Sequence, residues 1–68
     1  MYYYLNTNAD SNGNNEVHKE SCEWMPAPKN RCFIGFFNNG IEAVNYAKSI
    51  GWSNADGCFF CANEAHTG

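Results

Sequence analysis

Apolar and polar positions change rhythm several times along this chain, and each change predicts an element. Tyr2 to Asn6 is an aromatic and apolar run of strand length, suited to a pleated surface, and it predicts a strand. Asn8 to Asn15 is dense in turn formers and predicts a long hairpin loop. Glu16 to Lys19 alternates polar and apolar, predicting a second short strand that ends close to His18. Pro26 and Pro28 each remove a backbone donor and restrict the residue before them, so Met25 to Lys29 is expected to be a connector. Strand composition returns from Cys32 to Phe37, with Gly35 marking a bulge or a close approach of another backbone.

The period then lengthens. Ile41, Val44 and Ala47, together with Ala43, Ala47 and Ile50, recur at three- and four-residue intervals, and Asn39 followed by Glu42 has the form of a capping box. One helix is predicted from about Gly40 to Ile50, stopped by Gly51, which adopts positive φ without a side-chain clash. Trp52 to Gly57 is expected to loop back to a Cys58-x-x-Cys61 turn, and Cys61 to His66 to form a short helical turn. The pattern as a whole predicts an α+β fold in a single domain over residues 1–68: a small antiparallel three-stranded sheet, one helix, and a C-terminal CxxC turn.

At 68 residues, apolar burial barely offsets the entropy of ordering the backbone, so a chain of this size needs a staple. Trp24, Trp52, Phe33, Phe36, Phe37, Phe59 and Phe60 are expected to serve mainly as core, with any exposed rings forming a protein-binding patch. The formal charge is −3, and Lys19, Lys29, Arg31 and Lys48 are scattered, which makes free nucleic acid a poor partner. No apolar run has the length of a membrane span. The start, Met1-Tyr2-Tyr3-Tyr4-Leu5, lacks the basic-then-apolar pattern of an export signal, so the expected compartment is the cytoplasm. Reduced thiols holding a metal therefore fit the four cysteines better than a disulfide scaffold does.

Spacing gives that metal a site. Cys58 and Cys61 form a tight two-ligand turn, His18 and Cys22 form a second pair, and two such pairs complete the tetrahedral shell that zinc prefers. The expected metal ligands are thus His18, Cys22, Cys58 and Cys61. His66 competes for the fourth place through the run Cys58-x2-Cys61-x4-His66, and Cys32 competes more weakly, since it lies in an apolar strand and reads as core. Ser21 and Asp10 near His18 do not make a triad, which is a matter of geometry and not of sequence proximity, so no enzymatic activity is expected. The expected role is a zinc-stabilised module that binds another protein. A redox-sensing or metal-handling protein is the alternative, and a nucleic-acid-binding module the second alternative.

Val17-His18-x3-Cys22, Phe37-Asn38-Asn39, Glu42-Ala43, Gly51 and Cys58-x2-Cys61, spread from Glu16 to Cys61, resemble the small zinc domain of the Ada-type DNA-repair proteins. The resemblance implies one zinc held by the two pairs beneath a small sheet and a helix. In repair members the first pair also provides a methyl-accepting cysteine. Here that position is His18, so the resemblance implies metal binding without methyl acceptance.

Overall fold

The computed structural model describes residues 1–68. Its elements are β1 (Tyr2–Asn6), β2 (Asn15–Lys19), β3 (Arg31–Phe36), α1 (Gly40–Ser49) and β4 (Ala55–Gly57), with short 3-10 turns at Pro28–Asn30 and Asn63–Ala65. The strands form one sheet in the order β3-β1-β2-β4, in which β1 runs antiparallel to both its neighbours and β4 runs parallel to β2.

The expected three-stranded antiparallel sheet is therefore corrected to a four-stranded mixed one. The extra strand lies inside Trp52–Gly57, which the sequence reads as a loop. Ala55-Asp56-Gly57 has no β-branched or aromatic residue. Tertiary pairing creates it: Asn15, Glu16 and Val17 set its register, and the Asp56 carboxylate anchors it from the C-terminal side.

Side chains alternate across each strand, and this decides what lies under the helix. Tyr3 and Leu5 of β1, Val17 of β2 and Ile34 of β3 are buried with Ala43, Val44 and Ala47 of α1 and with Ala55 and Ala65. The β1–β3 register slips between Tyr3 and Tyr4 opposite Gly35, whose φ of +133° a residue with a side chain adopts only under strain. Asn39 caps α1 by accepting the Glu42 N–H at 2.9 Å, and Glu42 reaches back to accept the Asn38 N–H at 3.1 Å. Gly51, at φ +112°, follows the helix end.

Not every apolar residue enters the core. Ile41 and Ile50 are exposed, because the face of α1 that meets the sheet consists of Gly40, Ala43, Val44 and Ala47, small residues that let the helix lie close. Five of the seven rings expected in the core, Trp24, Phe33, Phe36, Phe59 and Phe60, are also exposed, while Phe37 and Trp52 pack against its margin. A single helix covers one face of a sheet, so Tyr2, Tyr4, Phe33 and Phe36 cluster with one another instead, with ring centroids 5.1–6.0 Å apart.

Candidate metal centre

His18 follows Val17 on β2, so the pleat that turns Val17 toward the helix turns His18 the other way. Cys22 lies in the turn that leaves β2, its N–H bonded to the Lys19 carbonyl at 3.0 Å. Cys58 follows β4 and extends the parallel pairing through its N–H to the Val17 carbonyl at 3.0 Å. A turn closed by the Ala62 N–H on the Cys58 carbonyl at 2.9 Å then presents Cys61. One strand exit thus supplies two of the side chains, and the turn after the parallel strand supplies the other two.

These four residues bring their ligand atoms within 4.8 Å of one another. The Cys22 and Cys58 sulfurs are 3.9 Å apart, and the Cys61 sulfur is 3.9 Å from His18 Nδ1. A tetrahedron built from ordinary zinc–sulfur and zinc–nitrogen bonds has edges of about 3.5–3.8 Å, so these two pairs already stand close to such edges, and the widest pair would close by up to about 1 Å around an ion. Backbone amides already point at two of the sulfurs: the Lys19 N–H donates to Cys61 at 3.3 Å and the Trp24 N–H to Cys22 at 3.4 Å. The bond from Lys19 favours thiolate over thiol at Cys61.

Burial shapes the titration of the group. His18 and Cys58 are each 1% exposed, while Cys22 and Cys61 are half-buried. Burial pushes the Cys58 and Cys61 thiols above their usual range, more than offsetting the amide hydrogen bonds each receives. Burial also lowers the His18 pKa, keeping the imidazole neutral with a lone pair to donate. Its Nδ1 faces the sulfurs. Its Nε2 is buried without a hydrogen-bond partner, 3.7 Å from the Glu16 carboxylate. A carboxylate behind an imidazole is the usual means of fixing a metal-binding tautomer.

The other two contenders lie elsewhere. His66 Nδ1 is 2.9 Å from the Gly57 carbonyl oxygen and 3.4 Å from the Asp56 carboxylate, and it is outside the cluster. Cys32 pairs with Leu5 in the β1–β3 ladder, and its thiol donates to the Phe33 carbonyl at 3.7 Å. Sequence reasoning passed over Glu16 and Asp56. Glu16 carried a usable signal, because it lies two residues before His18 on the same strand and so shares its face. Asp56 carried none, since its role depends on a strand that only tertiary pairing creates.

A groove of about 310 Å³ beside the cluster is lined by Lys19, Ser21, Cys22, Glu23, Trp24, Phe60 and Cys61. Trp24 stacks on Phe60 with centroids 5.1 Å apart, walling the exposed side of the two half-buried cysteines. The fold is that of a small α+β domain, and it brings one histidine and three cysteines into a cluster that could hold a metal ion. The chain matches no family model, no curated protein and no solved structure. No helix is long and apolar enough to cross a membrane.

Proposed function

We propose that the protein is a zinc-stabilised interaction module, with His18, Cys22, Cys58 and Cys61 as the metal ligands and another protein as its partner. One observation carries the metal reading: four nitrogen and sulfur donors, brought together from distant parts of the chain, lie within 4.8 Å of one another in a partly buried cluster. This donor set suits zinc among the common divalent ions, and four protein ligands describe a closed, structural site instead of an open catalytic one. The proposed role is accordingly binding and not catalysis. The Ada-type resemblance supports the same ligand pairs. Thiolate ligands persist in a reducing compartment, which supports the cytoplasm.

Native mass spectrometry of protein purified under reducing conditions tests this reading. One zinc per chain is expected, retained in His66→Ala and lost in His18→Ala. Zinc retained in His18→Ala, or absent from the unmodified protein, would overturn it.

A redox-sensing reading is supported by the 3.9 Å separation of the Cys22 and Cys58 sulfurs. Peroxide could join them as a disulfide, each thiol giving up one electron and one proton while the peroxide is reduced to two waters, and the ion would leave with its ligands. An unchanged thiol count after mild peroxide treatment excludes that route.

A further inference from the structure

β3 is an end strand of the sheet, bonded to β1 alone. No backbone group of Arg31–Phe36 makes a backbone hydrogen bond outside that ladder. Bonds from the Thr7 N–H to the Asn30 carbonyl and from the Phe37 N–H to the Met1 carbonyl mark bonded pairs at the two ends of the ladder. Antiparallel pairing alternates, so the N–H and C=O of Arg31 and Phe33 face away from β1. Ahead of the bulge at Gly35, the Arg31–Phe33 stretch carries no proline, no lysine and no acidic residue to blunt its edge.

Two further features surround this edge. Phe33 and Phe36 are 54% and 64% exposed, and with Tyr2 and Tyr4 they form one continuous aromatic surface on the side of the sheet away from α1. The charge is also uneven. None of the seven acidic residues falls within Met1–Leu5 or between Met25 and Asn38, whereas Lys29, Arg31 and the Met1 ammonium all do. Arg31 is held over the Tyr4 ring at 5.2 Å, with Nη1 donating to the Pro26 carbonyl at 3.3 Å. In a chain of net charge −3, the segments that form this edge carry cations and no acid.

We infer that the free edge of β3 docks an extended acidic segment of a partner protein, which joins the sheet as a fifth strand. This rests on the interaction-module reading and names its partner's chemistry. Outward N–H and C=O groups spaced as in a strand are satisfied by another strand. Apolar side chains on one face of that strand lie along Phe33, Phe36 and the tyrosines, and acidic ones on the same face, at the end that pairs beside Arg31, meet Arg31 and Lys29. A nucleic acid offers no match to the edge's backbone groups, and two side-chain cations fall short of a groove that tracks phosphates. A second copy of the chain brings the same cations and no acid on the matching strand.

The test uses the zinc-loaded full chain and amide-resolved NMR, with a synthetic peptide as the probe that carries valines and a flanking pair of glutamates on one face of an extended strand and threonines on the other. Peptides with lysine in place of glutamate, or with proline in place of valine, serve as controls. The glutamate peptide is expected to slow hydrogen exchange at the Arg31 and Phe33 amides, with binding weakened by salt, while the controls do neither. Arg31→Glu is expected to weaken binding about ten-fold, and exposed Lys29→Glu shifts it the same way should the first variant disturb the fold.

Unprotected β3 amides in a folded, zinc-loaded sample would overturn the inference, as would equal binding of the lysine peptide. Two further results would also overturn it: protection that grows with protein concentration alone, which assigns the edge to a second copy, and protection by an oligothymidylate but not by the peptide. A chain that stays folded without zinc refutes the metal reading instead and leaves this test intact.

Discussion

Inside the C-terminal turn, the buried Asp56 carboxylate accepts the Thr67 N–H and hydroxyl at 2.9 Å each and the Gly68 N–H at 3.1 Å. Burial alone would raise its pKa, but these donors outweigh burial and hold it below the ordinary 3.8. A depressed carboxyl contributes stability in full above its unfolded pKa and loses it only as pH falls through the folded value. Asp56→Asn is therefore expected to cost about 1–3 kcal/mol in urea unfolding, with a penalty that stays flat from about pH 7.5 to about pH 9. A penalty that fades within that range contradicts the assignment. The next residue, Gly57, is fixed by space. A Cβ there would strike the Ala62 carbonyl oxygen and come within 2.8 Å of the Ala65 carbonyl carbon, both backbone atoms that cannot swing aside. Gly57→Ala is expected to lower the melting temperature and to weaken metal binding by displacing Cys58, and unchanged affinity with unchanged melting would contradict this.

α1 was legible in the sequence because its signals are local. Asn39, Glu42 and Gly51 act within a turn of the helix ends, and the helix runs from Gly40 to Ser49 as the spacing implies, to within a residue. Asn39→Ala removes the cap acceptor and is expected to cost about 1 kcal/mol by thermal or urea unfolding, whereas a neutral effect would mean that packing alone sets the helix start. β1, β2 and β3 were legible for the same reason, each with its own apolar or alternating run. β4 was not, since Ala55-Asp56-Gly57 becomes a strand only when β2 and the C-terminal turn are in place. Helical spacing leaves the exposure of Ile41 and Ile50 open: periodicity identifies a stripe but not the width of the contact, and small residues at Gly40, Ala43 and Ala47 narrow that contact. The aromatic residues misled for a related reason. They mark strands reliably, but which face of a strand is covered depends on how many layers the chain can build.

A molecule about 27 × 22 × 21 Å across has room for one small core, and here four alanines fill it together with Tyr3, Leu5, Val17, Ile34 and Val44. Such a core supplies little stability at this length, which is why a link between the exit of β2 and the turn after β4 matters. The cluster makes that link across 36 residues between Cys22 and Cys58 and 43 between His18 and Cys61. Cysteine spacing made the two pairs visible in the sequence, while the choice among His18, His66 and Cys32 required coordinates. The pleat turns His18 toward the sulfurs, and the Gly57 carbonyl occupies His66. Bound metal is expected to contribute a large share of the folding free energy, since apparent binding energies for structural zinc reach the order of 10 kcal/mol, comparable with the whole stability of a small domain. Amide-resolved NMR spectra taken before and after stoichiometric removal of the metal by a chelator, under reducing conditions, decide whether the ion holds the fold. A well-dispersed spectrum is expected to collapse on chelation and to return with one equivalent of zinc. Dispersion that survives complete metal removal would contradict a structural role for the ion.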